Sequence, residues 1–414
     1  MGIVVMKFGG SSVADADKIR AAARRAIATR KAGNQVVMVV SAMGDSTDNL
    51  VDLAKQITQD PPKREMDQLL ATGEQVTISL MAMALESLGA PAISFTAGQI
   101  GIVTDNVHTK ARIKSIDARR IHEQLRHGKI VIVAGFQGVT QDGAVTTLGR
   151  GGSNVTLVAI AAALNASVCE NYTDVDGIYT TDPRIVPTAR KIDRISYDEM
   201  LELASLGANV LHNRAVEFAK KYNVPIHVRS SLNNHKGTLI VAESQDMERI
   251  VVSGAALKDK LAKVTLRKVA DKPGIAARIF HTIATHNIVV DDIVQTVADD
   301  KTANLAFTVE LSDLPDVTKV ISALCRDLRC EAVFDENLAK VSVVGVGMRV
   351  HTGVAERMFA ALAKAGVNIQ NITTSEIRIS CLINREQGKK ALRLVHDAFE
   401  LDKTPRKSTK KSKS

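Results

Sequence analysis

Two short runs, Val36–Ala42 (VVMVVSA) and Ile130–Gly135 (IVIVAG), are apolar almost without interruption and rich in β-branched residues. A strand with one wet face alternates polar and apolar positions. A run with almost no polar position is covered on both faces, which is how strands sit inside a parallel sheet flanked by helices. The surrounding segments support that reading. Ile3–Phe8 is an apolar run ended by Gly9–Gly10, and Asp15 stands as the N-cap of an Ala/Arg-rich helix that stops at Gly33. Met66–Leu88 reads as a helix broken near Thr72–Gly73, and Val155–Leu164 as an apolar helix after Gly151–Gly152–Ser153. Ser167–Thr173 returns to strand, and Pro225–Arg229 supplies the last one. Strand and helix in alternation over residues 1–245 predict an α/β domain with a mainly parallel sheet and helices on both faces.

The texture changes after that point, where one pattern occurs twice. Gly274–Ala284 (GIAARIFHTIA) and Gly353–Ala363 (GVAERMFAALA) match without gaps at an offset of 79 residues. Each copy follows a strand (Ala262–Lys268, Lys340–Val346) and precedes another (Ile288–Val297, Asn368–Ser375). Each unit reads βαββαβ, yet the second ends after the helix Ala391–Phe399 without a last strand. The extra strand Arg249–Leu257 fills that edge, so that no ladder is left unpaired and the two units form one interleaved module. The expected boundaries are therefore 1–245, a linker and completing strand over 246–261, repeats over 262–336 and 339–402, and a tail over 403–414.

Of the net charge of +9, the tail KTPRKSTKKSKS carries six basic residues and no acid, leaving +3 for the rest. It holds nothing to bury and is expected to be disordered and solvated. Aromatic residues make up only 3% of the chain, so the core is aliphatic and base stacking on nucleic acid is not expected. Four cysteines without a CxxC pair predict neither a disulfide framework nor a zinc site, and a reducing, cytoplasmic setting follows. The opening MGIVVMKFGG lacks a leader's charged start and cleavage site. No uncharged apolar stretch reaches the ~20 residues that span a bilayer, so no membrane partner is expected.

The chemistry concentrates in a few turns. Lys7–Phe8–Gly9–Gly10–Ser11–Ser12 closes the first strand at its carboxyl end, where open α/β sheets bind ligands. Its glycines admit phosphate oxygens to the backbone amides, and Lys7 adds a point charge. It is not a Walker A loop. Thr147–Leu148–Gly149–Arg150–Gly151–Gly152–Ser153–Asn154 is a second Gly-rich turn, which opens a helix and offers a guanidinium for a carboxylate or phosphate. Thr173–Asp174–Val175–Asp176–Gly177 lacks the carboxylates of a calcium loop. Ala71–Thr72–Gly73–Glu74 breaks a helix and sets one carboxylate at the break, which matters if it faces the two turns.

Taken in order, KFGGSSV, VVSAMGDSTDNL, ATGEQ, TDNVHTKARI, VAGFQGVTQDG, TTLGRGGSN, YTDVDGIYTTDPRIVP and VPIHVRSS resemble the aspartate kinases. The paired repeats resemble that family's tandem ACT domains, and the likeness covers nearly everything before the tail. The resemblance implies a three-layer α/β/α amino-acid-kinase fold with two C-terminal ferredoxin-like ACT domains. It implies transfer of the ATP γ-phosphoryl group to the β-carboxylate of L-aspartate, the first step toward lysine, threonine and methionine. Lys7, Gly9, Gly10, Arg150 and Asn154 then fall at catalytic positions. Ser41, Thr47, Glu74, Arg150, Gly151, Gly152 and Ser153 fall at the aspartate site. Lys7, Phe8, Gly9, Gly10, Ser11, Thr173, Asp174, Tyr179, Thr180, Asp182 and Arg184 fall at the nucleotide site, with Mg²⁺ arriving on ATP and no metal held by the protein itself.

Feedback control by lysine, threonine or both is implied at Asp271, Gly274, Ile275, Ala276, Asn287, Ile288 and Gln295 of the first repeat, closed by Thr373, Thr374 and Ser375 of the second. A homo-oligomer through the ACT domains is implied, or an α₂β₂ assembly with a small subunit started at Met247. The chain departs from the family at Asn154, where Asp is usual, at Val155 and Leu157, and at Asn209, where many members have Lys. These departures keep open a catalytically weakened, amino-acid-sensing homologue, and another amino-acid kinase of the same fold remains the nearest rival.

Overall fold

The computed structural model describes residues 2–207, 210–244, 247, 250–286, 288–297 and 301–404, and the chain divides into two compact units. Unit 1 comprises Met1–Tyr179 and Lys191–Met247; unit 2 comprises Thr180–Arg190 and Glu248–Ser414. The segment Thr180–Arg190 thus departs from the expected 1–245 domain. Its Val186 is buried among side chains of the second repeat. Asn209, Asn287 and most of the basic tail lie outside the described residues.

Unit 1 is built on an eight-stranded sheet. Its strands are β1 (Ile3–Phe8), β2 (Gln35–Val40), β3 (Ala92–Phe95), β6 (Ile130–Ala134), β9 (Val168–Thr173), β10 (Arg194–Ser196), β11 (Ile226–Ser230) and β12 (Thr238–Val241). They run in the order β10-β12-β11-β9-β1-β2-β6-β3, parallel at every ladder except β11–β12. The apolar runs β2 and β6 sit side by side, as their lack of polar positions required. Strands β3, β10 and β12 were not expected; at three or four residues they are too short to show a period, and β11 is not the last strand.

The even-numbered residues Val4, Met6 and Phe8 pack in one core with α1 (Ala16–Lys31) and with Ile78, Met81 and Leu85 of the helix Lys63–Ser87. Asp15 caps α1, accepting from the Lys18 amide at 2.9 Å. The expected break at Thr72–Gly73 does not exist: Lys63–Ser87 is one helix of 25 residues. Gly73 serves close approach, since a Cβ there would stand 2.8 Å from the Ala42 Cβ.

A second, four-stranded sheet escaped the sequence reading. It orders β5 (Ile113–Ile116), β4 (Ile102–Thr104), β7 (Gln137–Val139) and β8 (Val145–Thr147). Its strands are three or four residues long, yet its loops 105–112 and 148–151 carry much of the site.

Unit 2 holds one six-stranded sheet in the order β14-β15-β13-β16-β18-β17. Its strands are β13 (Gly254–Ala270), β14 (Asp291–Val297), β15 (Thr302–Glu310), β16 (Glu331–Val344), β17 (Asn371–Thr374) and β18 (Arg378–Asn384). Strand β13 serves both repeats. Gly254–Lys258 pairs with Lys340–Val344 as the second repeat's missing edge, and Leu261–Arg267 pairs with Glu331–Leu338 in the first. The repeat helices Ile275–Thr285 and Val354–Lys364 fall at the offset read from sequence, each entered through a left-handed glycine, Gly274 (φ 91°) and Gly353 (φ 86°).

Candidate active site

Strand β1 ends at Phe8, and the chain turns through Gly9–Gly10 against the end of β2. The Ser41 amide donates to the Phe8 carbonyl at 3.1 Å and the Gly44 amide to the Gly10 carbonyl at 3.1 Å. A Cβ on Gly10 would stand 2.9 Å from the Ala42 carbonyl oxygen, so only glycine lets these loops close. Lys7 folds over Gly9, whose Cβ position lies 3.2 Å from the lysine Nζ. The Lys7 side chain is 9% exposed. Burial pushes its ammonium down to about 8, against the pull of Asp174.

The second turn follows β8. Gly149 (φ 74°) and Gly151 (φ 72°) are left-handed, and a Cβ on Gly151 would overlap the His212 side chain at 2.3 Å. The turn opens the helix Gly152–Ala163, whose first amides bear the partial positive charge of a helix N-terminus. Ser41 Oγ donates to Ser153 Oγ at 2.9 Å, joining this turn to the end of β2. Arg214 donates to the carbonyls of Leu148 (2.5 Å) and Ala111 (3.0 Å), joining it to the loop after β4.

Helix Lys63–Ser87 brings two carboxylates, Asp67 and Glu74, to this region. They lie seven residues apart, two turns along one face. The Ala42 amide donates to Glu74 Oε1 at 3.0 Å, while Oε2 is buried without a partner. Burial pushes the Glu74 carboxyl up to about 7. Asp67, fully buried, accepts from the Thr109 amide (3.0 and 3.1 Å) and from Thr147 Oγ1 (2.5 Å), and lies 2.7 Å from His108 Nδ1. Sequence reasoning missed Asp67. The available signal was a carboxylate seven positions before Glu74, in register with the apolar stripe Leu70, Ile78, Met81, Leu85.

These pieces enclose a cavity of about 940 Å³ lined by Lys7, Ser41, Thr47, Glu74, Arg150, Gly151, Gly152, Ser153 and Asn154, all singled out from sequence. Lys110, Arg112, His212 and Arg214 join them without having been foreseen. Five cationic side chains (Lys7, Lys110, Arg112, Arg150 and Arg214) thus face two carboxylates, Asp48 and Glu74. The occupant that fits is an anion that also carries a positive group for Glu74. Asn154 Oδ1 is buried without a hydrogen-bond partner.

Gly9, Gly10, Ser11, Thr173, Asp174 and Tyr179 belong to the same unit but do not line this cavity. Thr173 Oγ1 donates to Asp174 (3.0 Å) and the Tyr179 hydroxyl to Asp176 (2.7 Å), whose carboxylate also holds Lys191 and His235. Phe8 is buried and stacked on Tyr172 at 4.7 Å, so its side chain offers no surface to a ligand. Thr180, Asp182 and Arg184 fall in unit 2. The Thr180 side chain leaves the expected nucleotide set: its hydroxyl is buried, 3.0 Å from His396 Nε2, and accepts from the Arg190 amide. Asp182 and Arg184 pair with each other at 2.7 Å. Among the described residues no cluster of three His, Cys, Asp or Glu side chains is disposed to hold a metal ion, and no helix is long and apolar enough to cross a membrane.

The expected effector residues are spread over unit 2. Asp271 and Gln295 are exposed, and Ile275 and Ala276 pack partly against the first repeat's core. Ile288 is a correction: its side chain is buried in that core and offers no surface to a ligand. Thr374 and Ser375 are exposed, whereas the Thr373 hydroxyl donates to Asp292 at 3.1 Å. Asp292 in turn lies 2.5 Å from the Nζ of Lys340, and both side chains are almost wholly buried.

Against known proteins, residues 2–230 match the amino acid kinase family, and residues 264–329 and 341–399 each match an ACT domain. The chain is 53% identical to aspartokinase 2 of Bacillus subtilis over 406 residues, covering 98% of this chain and 99% of that one. It is 51% identical to the aspartokinase of Pseudomonas aeruginosa, covering 97% and 98%. Among solved structures, E. coli aspartokinase III in complex with aspartate and ADP aligns with a TM-score of 0.79 at 27% identity, covering 96% of this chain and 99% of that one. The same enzyme in complex with lysine and aspartate aligns with a TM-score of 0.77 at 27% identity and the same coverage.

Proposed function

The chain belongs to the aspartokinase family and is a kinase, and from that premise we propose that it transfers the γ-phosphoryl group of ATP to the β-carboxylate of L-aspartate. The observation that carries this reading is the single cavity in which Arg150, Glu74 and Lys7 converge with a surplus of cations. Arg150 and the amides opening the helix Gly152–Ala163 take the substrate α-carboxylate. Glu74 takes its ammonium through the oxygen left unpaired, and Ser41 and Thr47 line its pocket. A β-carboxylate is already ionised at neutral pH and needs no general base. One of its oxygens forms the bond to the γ-phosphorus as the bond to the bridging oxygen of ADP breaks, giving 4-phospho-L-aspartate and ADP. The protein's task is therefore position and charge, supplied by Lys7 and the amides of Gly9 and Gly10. Thr173, Asp174 and Tyr179 flank the nucleotide, with Mg²⁺ on its phosphates neutralising charge.

The same reading makes this the first step toward lysine, threonine and methionine in the cytoplasm, with lysine or threonine acting on unit 2. The effector carboxylate falls at the Gly274 turn and its ammonium at Asp271, with a coupling of ~1–3 kcal/mol to the kinase site. The oligomer formed through the ACT repeats, homo-oligomeric or α₂β₂, completes the reading. The test is ADP release with aspartate, glutamate, N-acetylglutamate or no acceptor, repeated with added lysine and threonine on the wild type and Asp271→Ala. Aspartate-dependent turnover, with inhibition weakened in the variant, is expected. Turnover with another acceptor alone would reject the substrate. Binding of lysine or threonine without turnover would favour the weakened, sensing reading, for which the orphaned Asn154 oxygen is the motive.

A further inference from the structure

The helix Leu314–Leu328 ends in a geometry that brings two cysteines into contact. Arg329 adopts the left-handed conformation (φ 54°), and the Cys330 amide donates to the Cys325 carbonyl at 3.1 Å. This six-to-one bond is that of a Schellman ending, in which the residues at its two ends meet side chain to side chain. In most such endings the contact is merely apolar. Here both positions are cysteine, and the two Sγ atoms lie 3.0 Å apart. The pairing is therefore set by the backbone. A disulfide needs the sulfurs at about 2.05 Å, a further approach of roughly 1 Å that small side-chain rotations supply. Cys325 is buried, whereas Cys330 is partly exposed. The other two cysteines, Cys169 and Cys381, are buried in separate cores.

We propose that Cys325 and Cys330 are a reversible thiol–disulfide site on the first repeat, oxidised by small disulfides of the glutathione class. The Cys330 thiolate attacks one sulfur of the small disulfide, forming a mixed disulfide and releasing one small thiolate. The Cys325 thiol then loses its proton to solvent and attacks the Cys330 sulfur, expelling the second small thiolate. Two protein thiols are oxidised and one small disulfide is reduced to two thiols. The order follows from access. It also follows from the Cys325 thiol, which burial and its neighbour push up to about 12, making it the slower, resolving partner.

The test exposes the native full-length chain to oxidised glutathione, blocks free thiols with an alkylating agent and maps the peptides. Cys325 and Cys330 should escape alkylation together, in a linked product lighter by two hydrogens that dithiothreitol reopens, with Cys169 and Cys381 unchanged. Cys325→Ser should instead keep a glutathione adduct on Cys330. Continued alkylation of both thiols in the wild type, or a lasting glutathione adduct on wild-type Cys330, would overturn the proposal. The wild-type map decides it even if the variant does not fold.

Discussion

Lys7 and Glu74 are both driven toward neutrality by burial, and the proposed reaction requires both to be charged. Lys7 carries its proton below about 8, and Glu74 is ionised above about 7. In the free enzyme the two charges coexist most fully between those values. The pH profile of kcat/KM, which reports the free enzyme, is therefore expected to be a narrow bell. Its acid limb is protonation of Glu74 and its alkaline limb deprotonation of Lys7. A bound ammonium lowers the first value and a bound phosphate raises the second, so kcat should keep a broader plateau. Glu74→Gln should abolish the acid limb, and Lys7→Met should lower kcat by at least ~10²–10³ without unfolding. A flat kcat/KM from about pH 6 to 9 would reject the assignment. At this scale the glycine turns were legible, because glycine beside a strand end announces close approach. Lys110, Arg112 and Arg214 were not, because an isolated cation carries no sign of where its loop will point.

At the scale of elements, the helix Lys63–Ser87 and the loop 105–112 are joined by Asp67, which ties the segment bearing Lys110 and Arg112 to the segment bearing Glu74. Asp67→Ala would leave the buried Thr147 hydroxyl without its partner, at about 1–3 kcal/mol, and would also release the part-buried Thr109 amide. The expected result is a lower midpoint of unfolding together with an acceptor KM raised tenfold or more and a smaller change in kcat. An unchanged KM in a folded variant would show the clamp to be irrelevant to the site. This helix also shows why a sequence break was expected wrongly. Glycine is a poor helix former, costing about 1 kcal/mol relative to alanine, yet here the missing Cβ lets the helix touch Ala42. Tertiary contact outweighed local propensity.

At the scale of the whole molecule, β13 and β16 each run through both repeats of unit 2, so neither repeat owns its sheet. Lys340 on β16 and Asp292 at the start of β14 form a buried ion pair, with the exposed Asp291 carboxylate also on Lys340 and the hydroxyls of Thr308 and Thr373 on Asp292. Lys340→Met alone strands the Asp292 carboxylate and should cost about 3–5 kcal/mol. Lys340→Met with Asp292→Leu should recover most of that. Because the long strands are shared, the single variant should lower hydrogen-exchange protection at Leu305–Val309 and at Ser380–Ile383 together. Loss confined to one of these strands would reject a cooperative sheet.

The alternation of the longer strands with helices, the duplication and the strand completing the second repeat could be read from the chain, because each rests on local periodicity or on identity between two segments. So could Lys7, Arg150 and the glycine turns as candidates at element ends, whereas Glu74, in mid-helix, was singled out through the family resemblance. Tertiary structure alone decided the small sheet β5-β4-β7-β8, since strands of three or four residues show no period. It alone placed Thr180–Arg190 in unit 2, where Thr180 meets His396, residues more than two hundred positions apart. It alone gave Asp67 its partners and Ile288 its burial. A sequence specifies which groups are present and how far apart along the chain they lie; which of them lose water together is decided only when distant segments pack.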